Sequence, residues 1–351
     1  MWINLQTMSQ KKILLGLFSF IFSLGFAQTN KHVLFTSKNQ TDVKCYRIPS
    51  IITSNNGTLI AAIDERVPNC GDLLYNHDIN IVIRTSHDKG KTWSEIKRIV
   101  DFPYKESASD VSMVLDEKTK EIFLFYNYMN HKIAKNEFRL HFIKSADNGE
   151  TWSKPQDITD QITPNEWKKD FKFITSGRGF YSKEGWILNT LVRLKDGVYV
   201  FGSKDHGKTW ERISSVAANA DETNIIQLSN KDWLLNARIQ NAGYRKIFTS
   251  SDQGKTWTSK MEEQLIDPTC NASTLVLGKD IVFSNLHDPK ERQNLGLKIS
   301  KDQAKTWNFV KTIDPKSSAY SVLTNISKNK VGIFYEADDY QDMVFEVVDL
   351  K

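Results

Sequence analysis

After one long apolar run, the chain settles into short apolar runs broken by polar turns. The long run is ILLGLFSFIFSLGFA at 13–27, preceded by Lys11 and Lys12 and closing on small residues before Gln28. A charged start, a short apolar stretch and a small-residue exit are the marks of a signal peptide. Residues 1–27 therefore read as a leader, and the mature chain 28–351 as one exported domain, periplasmic or secreted. No Cys stands at the exit to take a lipid, and no later stretch is long enough to span a membrane. Beyond the leader, CYRIPSII at 45–52 and TLIAAIDER at 58–66 flank the turn residues NNG, which is the pattern of a β-hairpin. Residues 153–172 are polar and irregular and predict a long loop with one helical turn. Two arginines punctuate the hairpin, Arg47 inside one strand and Arg66 at the end of the other. A lone arginine in a strand is ordinarily a solvated edge residue, so the question is whether others join these two.

A repeat sets the architecture. Ser-x-Asp-x-Gly-x-Thr-Trp recurs as SHDKGKTW from Ser86, SADNGETW from Ser145, SKDHGKTW from Ser203, SSDQGKTW from Ser250 and SKDQAKTW from Ser300. The starts lie 59, 58, 47 and 50 residues apart. Periods near fifty mean a propeller or another array, because one unit alone cannot bury its apolar face. β-Rich runs such as INIVIRT and LGLKI precede the boxes. Asp and Gly at these offsets suit a tight turn, the carboxylate accepting from backbone amides and the Gly supplying a positive φ. Five equivalent acids fit scaffold turns better than five catalytic or calcium sites. The fifth box has Ala304 in place of Gly, so its turn is expected to be looser or of another type. Dividing the mature length by the period gives about six units, hence an all-β fold, a six-bladed β-propeller of four-stranded antiparallel blades.

Composition narrows the chemistry. The formal net charge of +5 becomes +3 once the two leader lysines are removed, too mild and too evenly spread for a nucleic-acid partner. Three cysteines, Cys45, Cys70 and Cys270, exclude a disulfide framework, and no CxxC or HExxH spacing suggests a metal. No cofactor is implied.

The residues between the boxes resemble the bacterial exo-α-sialidase (neuraminidase) family, and the likeness covers the whole mature chain. YRIP places Arg47 as the first of the family's three arginines. Glu222 in NADETNIIQL and Arg238 in LLNARIQ match its glutamate and second arginine, and FSNLHDPKERQN places Arg292 as the third. SSAYSVL offers Tyr320 as nucleophile, and VGIFYE offers Glu336 as the brace of Arg47. AAIDERVPNCGD supplies Arg66 and the acid/base Asp72, while ASDVSMV makes Asp110 a sugar-binding candidate beside Arg66. Where many relatives carry Gly-Pro-Gly, this chain has TSGRGFY, which leaves the rim around Gly177 and Gly179 undefined.

The resemblance implies removal of terminal sialic acids from glycoproteins, glycolipids or oligosaccharides, and the chemistry explains the residue types. Sialic acid carries a carboxylate on its anomeric carbon, and planar guanidinium groups match a carboxylate better than lysine does. A carboxylate nucleophile would be repelled by that charge, whereas a phenol is neutral but needs a base to take its proton. Taken singly, Tyr320 could be a surface strand residue, Asp72 or Glu222 a turn residue, and Arg238 a strand-edge charge. Their order around five boxes argues for a joint role. Transfer of sialic acid to an acceptor, by a trans-sialidase, stands as the alternative. A non-catalytic sialoglycan-binding propeller is expected to lose Asp72, Glu222 or Tyr320, and all three are present. Export permits a disulfide, and the position of Cys45 two residues before Arg47 and of Cys70 two before Asp72 suggests a Cys45–Cys70 bond with Cys270 free; three buried or reduced cysteines are the alternative.

Overall fold

The computed structural model describes residues 31–351, and the leader expected over 1–27 lies outside them. Five sheets hold the strands. In the first, Cys45–Thr53, Leu59–Arg66, Ile79–Ser86 and Lys97–Val100 follow one another antiparallel in chain order. The second repeats this with Glu106–Leu115, Ile122–Asn130, Arg139–Ser145 and Gln156–Asp157. The third is built on Ile187–Arg193 and Gly197–Ser203, with the short pieces Lys172–Ile174 and Phe180–Tyr181 on one side and Glu211–Arg212 on the other. Thr223–Gln227, Trp233–Ala237, Gly243–Ser250 and Thr258–Asp267 form the fourth.

The fifth sheet has seven strands and divides along its longest, Asn308–Ser327. The first part of that strand pairs with Gln293–Ser300, beyond which lie Asp280–Leu286 and Ser273–Leu277. Its second part pairs with Lys330–Ala337, followed by Asp342–Asp349 and finally the early strand Lys31–Thr36. The first strands of successive groups touch in turn. Cys45–Thr53 lies against Glu106–Leu115, that strand against Phe180–Tyr181, then Thr223–Gln227, Ser273–Leu277 and Asn308–Ser327, which returns to Cys45–Thr53.

Burial follows from this stacking. Every residue of Leu59–Arg66 is buried, because both faces of the strand meet protein. Period-2 alternation sends successive side chains to opposite neighbours: Ile60 and Ala62 pack with Val111, Met113 and Leu124, whereas Leu59, Ala61 and Ile63 pack with Phe334 and Phe345. The interior is thus a set of apolar layers between sheets rather than one central core.

Each Asp box joins the third strand of a group to its fourth. In the second box, Asp147 Oδ1 accepts from the Thr151 amide at 2.9 Å and Ser145 Oγ from the Gly149 amide at 2.9 Å. Gly149 has φ +95°, and a Cβ there would come within 2.6 Å of Ile60 in the preceding sheet, so the box also staples neighbours together. The looser turn expected at Ala304 is corrected by the structure. Ala304 adopts φ 64°, its amide donates to Ser300 Oγ at 2.9 Å, and Asp302 Oδ1 accepts from Thr306 at 2.9 Å, so the turn is the same as in the other boxes. The hydrogen-bond set holds the alanine left-handed. Residues 153–172 contain the helical turn Thr159–Ile162 and a 3-10 turn Asn165–Trp167. Among the described residues no helix is long and apolar enough to cross a membrane.

Candidate active site

Three of the innermost strands bulge where the site residues stand. Pairing slips between Arg47 and Ser50, between Ser109 and Ser112, and between Ser318 and Ser321. A bulge adds a residue to one strand, frees an amide from the ladder and re-aims a side chain. Ile48 and Asp110 take φ of 64° and 62°, a costly region for a β-branched isoleucine. Two fully buried carboxylates hold the freed amides. Glu336 accepts from Ile48 at 2.9 Å and from Tyr320 at 3.1 Å, and Asp64 accepts from Asp110 at 3.0 Å.

These bulges open on a cavity of about 620 Å3 lined by Arg47, Asp72, Asp110, Glu222, Arg238, Arg292 and Tyr320, among others. Glu336 and Arg66 stand behind that lining. Glu336 Oε1 accepts from Arg47 Nε at 2.7 Å. Tyr320 Oη donates to Glu222 Oε2 at 2.8 Å, and the same oxygen accepts from Arg238 Nη1 at 2.5 Å. Arg292 bonds only the Thr269 carbonyl, at 2.9 Å, and Tyr340 Oη, at 3.3 Å, and no carboxylate lies within ion-pair distance of it among the described residues. The guanidinium groups of Arg47 and Arg292 lie 6.0 and 5.7 Å from the Tyr320 ring centre. Three guanidinium groups therefore surround one phenol.

Asp72 occupies the open side. Its side chain is 78% exposed, while Arg66, which donates to Asp72 Oδ1 at 2.8 Å, is fully buried. Arg66 is itself fixed by the Cys70 carbonyl at 2.9 Å and Asp64 Oδ2 at 3.1 Å. Cys45 and Cys70 form a disulfide with α-carbons 5.8 Å apart, and Cys270 is free and buried. Of the two states left open by spacing, the bonded one is present. It ties the Arg47 strand to the loop carrying Asp72.

Burial dominates the protonation of the site. It raises Glu222 to about 7, against the opposing pull of Arg238. It pushes the Tyr320 phenol well above its ordinary range, and nearby Glu222 adds to this. Asp110 is also raised by burial, with Arg66 opposing. For Arg47, burial disfavours the charge, but Glu336 more than offsets it and the guanidinium stays protonated. The arrangement can thus hold an anion on three cations, keep a phenol neutral, and offer it a base that titrates near neutrality.

Several members were not legible beforehand. Asp64 joins Arg66 to the Asp110 bulge. Asp221 lies 3.4 Å from Arg238 Nε and accepts from Gln240. Tyr340 touches Arg292 and places its ring 4.3 Å from the Arg47 guanidinium. Asp64 could have been found as the acid two residues before Arg66; Tyr340, in the polar turn DDYQD, carries no local signal. Leu74, Phe138, Phe171 and Leu194 give the cavity an apolar side near Asp72. The TSGRGFY segment is not part of this rim. Gly177 and Arg178 pair in parallel with Ser112 and Met113, and Arg178 and Gly179 line a different cavity.

Comparison with known proteins adds relatedness to this geometry. The BNR repeat-like domain family matches residues 74–333. A sialidase of Bacteroides fragilis is 29% identical over 349 residues, covering 87% of this chain and 62% of the relative. The chain thus spans under two thirds of that relative's length. Among solved structures, the Hadza microbial sialidase Hz136 superposes with a TM-score of 0.80 at 28% identity, over 88% of this chain and 66% of the other. A leech intramolecular trans-sialidase gives 0.76 at 18% identity, over 92% and 70%, a likeness of fold alone. With its five box turns and the match across 74–333, the chain belongs to the BNR repeat-like domain family, and the relatives it resembles are sialidases.

Proposed function

We propose that this chain is a retaining exo-α-sialidase acting on terminal sialic acids of glycoproteins, glycolipids or oligosaccharides. The observation that carries the reading is the 2.8 Å hydrogen bond from Tyr320 Oη to Glu222 inside the ring of Arg47, Arg238 and Arg292. The three guanidinium groups take the substrate carboxylate, with Arg292 contributing donors not engaged by any acid. Glu222 removes the phenol proton as the Tyr320 oxygen attacks the anomeric carbon. Asp72 gives its proton to the departing oxygen, then takes one from the water that cleaves the glycosyl-tyrosine, returning the phenol and releasing sialic acid. Two displacements retain configuration. Glu336 positions Arg47 and Tyr320, Arg66 positions Asp72, and Asp110 faces the sugar hydroxyls.

The same reading extends to architecture and location. The six strand groups, closed by Lys31–Thr36 on Asp342–Asp349, correspond to six blades of a β-propeller, and the leader directs it out of the cytoplasm. A five-box, six-blade count is self-consistent. In the last group the third and fourth strands are the two ends of the described chain, so no turn joins them and no box is needed.

The test is hydrolysis of sialyllactose followed by proton NMR. The expected first product is the α-anomer of free sialic acid, and Tyr320→Phe is expected to fold normally and lose most turnover. Near wild-type turnover by that variant sinks the assignment. With an aryl sialoside as donor, transfer to added lactose in place of release to water would identify the trans-sialidase reading instead.

A further inference from the structure

The inner strands end in a second cavity, of about 490 Å3, at the end away from Tyr320. Its position follows from the strands themselves. Arg47, Asp110 and Tyr320 line the catalytic cavity, whereas Thr53, Leu115 and Thr324, further along the same three strands, line this one. Arg178 faces it from the TSGRGFY segment that the catalytic reading leaves unused.

Arg178 and Arg292 share an arrangement. Each lines a cavity, donates to one backbone carbonyl, and has no carboxylate within ion-pair distance among the described residues. Arg178 Nη1 reaches the Leu323 carbonyl at 2.9 Å, which leaves the rest of its fork free. Burial with no opposing charge pulls this guanidinium down to about 10, the opposite of Arg47, where Glu336 stands beside the charge. Lys328 adds positive charge, and the acid of the lining, Glu117, is exposed.

We propose that this second cavity binds a small oxyanion, a carboxylate or a phosphate, on the Arg178 fork. Planar bidentate recognition is what an arginine supplies and a lysine does not. The site is separate from the catalytic cavity and does not depend on the reaction assigned there.

Titration calorimetry with inorganic phosphate and with acetate tests it, using Arg292→Ala so that anion binding in the catalytic cavity is weakened. One saturable site for at least one probe is expected to persist in Arg292→Ala. Adding Arg178→Gln should weaken it by about tenfold or more, as loss of a charged hydrogen bond implies. Adding Arg178→Lys in its place, which keeps the charge and loses the planar fork, should weaken it several-fold. The stronger probe distinguishes a phosphate site from a carboxylate site. Absence of saturable binding of both probes in Arg292→Ala overturns the proposal, as does unchanged affinity on adding Arg178→Gln. Should Arg178→Gln fail to fold, Arg178→Lys decides, and unchanged affinity there overturns it equally.

Discussion

At the residue scale, Glu222 sets the expected pH dependence. Burial raises it to about 7, and a base must be ionised to accept the phenol proton. Activity is therefore lost as pH falls through that value. The kcat/KM profile, which reports the free enzyme, should show this acid limb near pH 7. Asp221 is among the groups that raise Glu222, so Asp221→Asn should move the limb toward acid; a limb that stays in place argues that another group titrates. Asp72 has a different signature. Without its proton, departure of a poor leaving group suffers more than that of an activated aryl group, so Asp72→Ala should lose much more turnover on sialyllactose than on an aryl sialoside. Equal losses would remove Asp72 from the acid role. The chemistry-bearing residue types were legible here because few side chains bind a carboxylate or serve as a neutral nucleophile. Their supports were not: Asp64 and Tyr340 act through contacts that local sequence does not reveal.

At the element scale, boxes and strands were readable because each rests on local periodicity and turn chemistry. Ala304 is the exception that measures the turn. It holds φ 64°, where a side chain costs roughly 1 kcal/mol relative to glycine. Part of that is returned by the greater backbone entropy glycine loses on folding. Ala304→Gly should therefore raise stability by about 0.5–1 kcal/mol in urea titration, and a destabilisation would show that the buried methyl matters more. The bulges at Ile48, Asp110 and Tyr320 were invisible, since CYRIPSII reads as an uninterrupted strand. Their cost is carried by Glu336 and Asp64, each supplied by a neighbouring strand.

At the scale of the whole molecule, the early strand closes the last sheet. Phe35 is 1% exposed and lies 5.3 Å from the Tyr46 ring and 6.0 Å from Phe334, so it joins that sheet to the first. Phe35→Ala should cost about 3–5 kcal/mol, read as a shifted denaturation midpoint with a loss of activity only where the protein unfolds. The Cys45–Cys70 bridge closes a loop of sequence separation 25, worth about 3 kcal/mol in the chain-entropy account. Cys70→Ser should lower stability by that order and also depress turnover on sialyllactose, because the Cys70 carbonyl and Arg66 together hold the Asp72 loop. Full turnover in the variant at a temperature where it stays folded would separate the bridge from positioning.

The sequence by itself determined the repeating unit, the all-β class, the turn at the four glycine boxes and a set of residues whose types suit a carboxylate ligand and a neutral nucleophile. These depend on neighbours within a few positions, on a fixed repeat, or on residue chemistry. Only the tertiary structure decided which of those residues share a cavity, which bulges aim them, that two of the three cysteines are bonded, and that Arg178 faces the opposite end from Tyr320. Those outcomes join parts of the chain as far apart as Arg47 and Glu336, or Tyr320 and Glu222. Contacts at such separation arise from stacking complete sheets, and no local pattern encodes the register at which one sheet meets the next.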